Sequence, residues 1–175
     1  MKMDVSQKYI SSWPTVVFFW LTALVCCVAM TVGCDNHQDP IELFHKGEYL
    51  DSFRIFNQQA AVGDIQANNY LGIHYYLGMG VTRDFVQAAK LFEKAALGEV
   101  ADAQRNLGIM YLRGFGVEQD YHQAYGWFFA AHAGGNSGAK EYLNLMGDNV
   151  TPNASQIARE KVRNQIATGA SVVQR

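Results

Sequence analysis

Residues 71–81 read LGIHYYLGMGV and residues 107–117 read LGIMYLRGFGV, the same string returning after 36 positions. Leu71, Gly72, Tyr75, Gly78, Gly80 and Val81 recur as Leu107, Gly108, Tyr111, Gly114, Gly116 and Val117. The register continues through Asp84 to Asp120, Ala88 to Ala124 and Phe92 to Phe128. A fixed period of this size marks a chain built from stacked supersecondary units. Fainter copies flank the pair: Tyr49, Ser52 and Phe56 stand 36 before Phe85, Ala88 and Phe92, and Ala139 and Leu143 stand 36 after Ala103 and Leu107.

Each unit reads as two helices. Ala67, Leu71 and Tyr75, and then Ala103, Leu107 and Tyr111, are spaced by four, which puts small, aliphatic and aromatic groups on one helical face. Gly72 and Gly108 interrupt neither pattern, so they predict a neighbouring helix passing close rather than a turn. Gly78 and Gly114 end the first helix, and the Gly-x-Gly-Val that follows supplies backbone able to take positive φ while the valine folds inward. Asp84 or Asp120, with glutamine three residues on, predicts a capping box at the start of the second helix. Its inner face runs Ala88, Leu91, Phe92, Ala95, then Ala124, Trp127, Phe128, Ala131, and Gly98 or Gly134 closes the unit. A hairpin this small buries its apolar face only by stacking on the next. The spacing from Gly63 to Ala67 is one residue shorter than that from Gly98 to Ala103, which leaves the first inter-unit loop open.

The pattern Ala-x-x-x-Leu-Gly-x-x-Tyr-x-x-Gly-x-Gly-Val-x-x-Asp-x-x-x-Ala resembles the Sel-1-like repeat, a relative of the tetratricopeptide repeat with a longer turn inside the hairpin. The resemblance runs from about residue 60 to 146 and is fainter over 41–61. It implies an all-α chain, a right-handed α-α superhelix of helical hairpins with repeats at about 40–63, 64–98 and 99–134 and a partial one at 135–146. Residues 147–175 then form a capping helix and tail, opened by Thr151-Pro152, with Ile157, Val162 and Ile166 as its apolar positions. In tetratricopeptide-type solenoids the first helices line a concave groove. The residues off the Leu-Gly-Tyr face are Asn69, Ile73, Tyr76 and Leu77, then Arg105, Ile109, Leu112 and Arg113. Polar, aliphatic, aromatic and arginine groups together suit a clamp for an extended segment or a partner helix, with packing between helices as the competing role of Ile73 and Ile109.

Ahead of the repeats, no charged residue lies between Lys8 and Asp35, and residues 15–34 read TVVFFWLTALVCCVAMTVGC. Lys2 and Lys8 precede the run and acid-leaning residues follow it, the polarity of a segment whose N-terminus stays inside. Its length suits either an uncleaved anchor or a long signal-peptide core. Thr31-Val32-Gly33-Cys34 is similar to a bacterial lipobox, apart from threonine where leucine is usual. That resemblance makes Cys34 the lipidated first residue of the mature chain. Asp35 behind it resembles the signal that retains some enterobacterial lipoproteins at the inner membrane. The expectation is a signal or anchor over 1–34 and a tether over 35–39. It places the chain outside the cytoplasm and membrane-anchored, on the periplasmic face of a Gram-negative inner membrane. All three cysteines, Cys26, Cys27 and Cys34, lie in this segment, so disulfides have no part in the repeats.

The 175 residues carry a formal net charge of −2 and are 49% hydrophobic and 17% charged. Twelve Lys and Arg against fifteen Asp and Glu beyond Cys34 leave no basic field for nucleic acid. Five histidines, His37, His45, His74, His122 and His132, lack ligand partners at metal spacing, apart from His37 and Asp39 in the tether, so no metal and no cofactor are expected. Ser137-Gly138-Ala139-Lys140 matches the Ser-x-x-Lys string of penicillin-binding enzymes, but Ser-Asp-Asn and Lys-Thr-Gly are absent and Ala139 is already the small residue of the third repeat. The reading that results is a non-catalytic adaptor that binds an envelope or membrane protein and takes no small-molecule substrate. The alternatives are a small envelope hydrolase or β-lactam-binding protein using Ser137 and Lys140, and a self-associating structural envelope protein.

Overall fold

Asp39 caps a short helix, α1 (Pro40–Lys46), by accepting from the Ile41 amide at 2.9 Å, with proline at the first helical position where no amide is needed. The computed structural model describes residues 38–147 and 150–169, and every regular element among them is helical. After α1 come α2 (Tyr49–Ala61), α3 (Ile65–Leu77), α4 (Phe85–Leu97), α5 (Ala101–Arg113), α6 (Tyr121–Ala133), α7 (Ala139–Gly147) and α8 (Pro152–Thr168). Helices α2 to α6 are each 13 residues long, so the repeat in the sequence is a repeat of equal rods. Each helix from α1 to α6 packs on the next, the contact order of a solenoid of hairpins. No described helix is long and apolar enough to cross a membrane. The signal or anchor over 1–34, Cys34 and its lipidation, most of the tether with His37 and the tail beyond Gly169 lie outside the described residues.

The core is a string of interhelical seams. Ala103, Leu107 and Tyr111 from α5 meet Ala88, Phe92 and Ala95 from α4 and Ala124, Trp127 and Phe128 from α6, all buried. Ala67, Leu71 and Phe56 form a smaller cluster between α2 and α3. Burial, with Glu93 and Asp120 near by, pushes the Tyr111 phenol up to about 12, so it stays a neutral core group. Gly72 and Gly108 are where the second helix comes in. A Cβ on Gly72 would stand 2.6 Å from Phe92 Cε1, and one on Gly108 would stand 2.8 Å from Phe128 Cδ1.

Four details differ from the sequence expectation. Asp84 and Asp120 do cap α4 and α6, each accepting from two amides, but the reciprocal arm of the capping box is not used. The amides that the glutamines would have reached are already donated to the Tyr75 and Tyr111 carbonyls of the preceding helices, at 3.0 and 3.1 Å. Secondly, Gly98 and Gly134 have ordinary negative φ, and the left-handed residue comes one position later. Gly63, Glu99 and Gly135, each 36 apart, have φ of 100°, 62° and 93°. In that register the first inter-unit loop is the same length as the second, and the apparent one-residue shortening disappears. Gly98 is instead a close-approach site, where a Cβ would meet Ile65 Cγ2 at 2.5 Å.

Thirdly, Ile157 does not belong to the buried face of α8, being 57% exposed. The face is Ser155, Ala158, Val162 and Gln165, with Ile166 half-buried. Finally, α8 lies along α6 and reaches α4, across the second helices of the units. Gly126 makes this possible, since a Cβ there would stand 2.6 Å from both the Ala158 carbonyl oxygen and Val162 Cγ2. One repeat earlier the same position is Lys90, exposed on the outer face of α4.

Candidate functional site: the face of the first helices

Helices α3 and α5 are the first helices of adjacent units, and the groups they turn away from the Leu-Gly-Tyr face meet across the groove between them. Ile73, Tyr76 and Leu77 from α3 and Arg105, Asn106 and Ile109 from α5 line a cavity of about 280 Å³, with Phe92 of α4 also in its wall. Ile73, Tyr76, Arg105 and Ile109 are half-buried and Leu77 is 45% exposed. Ile73 and Ile109 also pack against the core, so they are at once interhelical filling and cavity wall.

The other three residues expected here lie elsewhere. Asn69 is 4% exposed and accepts from Asn106 Nδ2 at 3.1 Å. Leu112 packs on the core, and its carbonyl accepts from Gln119 Nε2 at 2.8 Å. Arg113 is exposed at the end of α5 and is not part of the lining. Two lining residues were not anticipated. Phe92 reads as core by its spacing and serves both roles, because its ring passes over Gly72. Asn106 pairs with Asn69 at a separation of 37, one off the repeat period, which is why a search at 36 sets Asn69 against Arg105 instead.

One polar track runs from the cavity wall to the buried Asn69. Arg105 Nη2 donates to Asn106 Oδ1 at 3.2 Å, and Asn106 Nδ2 donates to Asn69 Oδ1. Arg105 Nε is buried without a hydrogen-bond partner. An aromatic cluster borders the same face: Phe85 and Phe115 stack at 4.8 Å, and Tyr76 tilts against both at 5.4 and 6.3 Å.

A larger recess of about 940 Å³ lies between the 114–123 stretch and Lys161 and holds Asp120 and His122. Their Oδ1 and Nδ1 are 3.9 Å apart, and no group of three or more metal-ligating side chains occurs among the described residues. His74, a core residue, is fully buried: its Nδ1 is 2.7 Å from the Met79 carbonyl oxygen and its Nε2 is 3.2 Å from Ser52 Oγ. Ser137 and Lys140 are both exposed, and the contact between them is the backbone bond from the Lys140 amide to the Ser137 carbonyl, 3.3 Å.

The Sel1 repeat family model matches residues 65–99 and 101–136. Among solved structures, a protective antigen present in uropathogenic Escherichia coli strains and displaying an SLR fold is similar, with a TM-score of 0.66 at 32% identity. The match covers 73% of this chain and 28% of that one. A Sel1 repeat protein from Oxalobacter formigenes is similar with a TM-score of 0.57 at 25% identity, covering 77% of this chain and 63% of that one. The chain therefore spans less than two thirds of either structure. No curated protein matches it.

Proposed function

Because this chain carries Sel1 repeats in an all-helical solenoid, we propose that it is a non-catalytic adaptor that binds a partner protein through the face formed by α3 and α5. The carrying observation is the meeting of Ile73, Tyr76, Leu77, Arg105 and Ile109 in one cavity. An apolar wall with an aromatic border and one guanidinium is the composition of a protein-binding hot spot. Ser137 and Lys140 share only a backbone contact, an arrangement that supports binding over nucleophilic chemistry.

The second part of the proposal is its place. The apolar segment with its Thr31-Val32-Gly33-Cys34 end exports the chain and holds it at a membrane, with the repeats on the periplasmic side of a Gram-negative inner membrane. The partner is then an envelope or membrane protein.

The test is capture from membranes by the full chain carrying a photocrosslinking residue at Tyr76, compared with the same chain bearing Arg105→Glu and Ile109→Ala. The expected result is a crosslinked partner that the double variant loses, while its melting temperature falls by no more than a few degrees. An unchanged crosslink pattern removes the proposed face, and unfolding of the variant makes these positions core. Palmitate labelling that Cys34→Ser abolishes supports the lipoprotein form of the tether, and labelling independent of Cys34 overturns it.

A further inference from the structure

We propose that the segment received by this cavity is acidic: an extended stretch of the partner protein in which an aspartate or glutamate, next to an apolar side chain, pairs with Arg105. The inference rests on the binding face proposed above and adds the chemistry of what it takes. Arg105 is a guanidinium in a wall that is otherwise aliphatic, aromatic and amide, with no carboxylate in the lining. No ion pair involving it occurs among the described residues, whereas Arg54 pairs with Asp51, and Arg83 and Arg159 lie over the Phe85 and Phe129 rings. Asp102, one turn earlier on α5, accepts from Asn136 Nδ2 at 2.6 Å.

The side chain is also held. Nη2 is tied to Asn106, and Nη1 packs beside Gly138, where an added Cβ would stand 3.4 Å away. Nε is buried without an acceptor. A half-buried cation with unused donors is costly until a carboxylate meets it, and a fixed guanidinium fork is the donor best matched to a carboxylate. Ile73, Ile109 and the Tyr76 ring beside it leave room for the neighbouring apolar side chain, whose burial keeps water off the ion pair. Electrostatic steering of an acidic segment toward this point follows from the same charge.

The experiment is selection of a random peptide library displayed on phage against the full chain in detergent, followed by titration of the selected synthetic peptides. We expect selected peptides to carry Asp or Glu beside an apolar residue, and Glu→Gln in the peptide or Arg105→Gln in the protein to weaken binding on the order of tenfold or more. Arg105→Lys should recover part of the loss, and the melting temperature should stay with the wild type. Two results overturn the acidic inference while leaving the face intact: selected peptides without carboxylates, or binding that Tyr76→Ala removes and Arg105→Gln does not. Peptides indifferent to both substitutions, or no selected peptides, overturn the face as well. Arg105-dependent binding to phosphatidylglycerol vesicles in place of peptides replaces the protein segment with a lipid surface and also overturns the inference.

Discussion

The α-carbon of Gly116 lies directly against the carbonyl of Phe85, too close for any side chain at that position, and Gly80 meets the carbonyl of Tyr49 in the same way 36 residues earlier. The Gly-x-Gly turn of each unit thus clamps the first turn of the second helix in the unit before it. Both glycines have positive φ, 69° and 73°, so conformation and close approach call for glycine together. This contact brings the backbones of neighbouring units together.

Gly116→Ala should therefore destabilise the chain by about 2–4 kcal/mol in urea unfolding, combining a left-handed alanine with a backbone collision. Gly47→Ala is the control: φ there is 85° but nothing lies within 4 Å of the added Cβ, so about 1 kcal/mol is expected. Equal losses for the two variants would show that the clamp contributes nothing beyond conformation.

Glu99 holds a left-handed φ of 62° at the position occupied by Gly63 and Gly135 in the flanking units. Glu99→Gly should raise stability by about 0.5–1 kcal/mol, the relief of strain exceeding the added freedom of the unfolded chain. A lower urea midpoint for the variant would mean that the glutamate side chain makes a compensating contribution.

His74 makes the fold sensitive to acid. The Met79 carbonyl only accepts, so Nδ1 carries the proton; Ser52 Oγ donates its one hydrogen to the Pro40 carbonyl oxygen at 2.7 Å, and Nε2 lies 3.2 Å from that hydroxyl. Burial lowers the pKa of the ring below 6.5, outweighing the Met79 bond that raises it. The unfolded ring then binds a proton that the folded ring does not, so stability is fully present above about 6.5 and falls as the pH drops toward the folded value. Thermal melts between pH 8 and pH 5 should show this decline, and His74→Gln should flatten it. An unchanged slope in the variant would assign the acid sensitivity to other groups.

Gly126→Ala should loosen α8 without unfolding the repeats, because the atoms nearest the new methyl belong to Ala158 and Val162 of that helix. Hydrogen exchange should speed up across residues 152–168 while α3 to α5 keep wild-type protection. Uniform acceleration across the chain would make α8 part of the same cooperative unit as the hairpins.

The period, the helix starts at Asp84 and Asp120 and the inner faces of α3 to α6 were all legible in the residues. They are local and recur, so each copy checks the other. Five of the eight groove residues, Ile73, Tyr76, Leu77, Arg105 and Ile109, share one cavity, and of these only Ile73 and Ile109 are equivalent positions of the two repeats. Asn69 is the repeat equivalent of Arg105, but its side chain meets Asn106, at a separation of 37 that the period of 36 does not point to.

Periodicity thus decides that this chain is a helical solenoid and which faces of its helices are apolar, since stacking identical hairpins has one packing solution repeated along the chain. It does not decide where the repetition stops. The place of α8 on the back of α6 depends on one substitution, Gly126 in place of Lys90, and on Ala158 and Val162 opposite it. Asp102, three residues before Arg105, accepts instead from Asn136. Both are contacts between segments distant in sequence, made once rather than repeated, and only the assembled tertiary structure decides them.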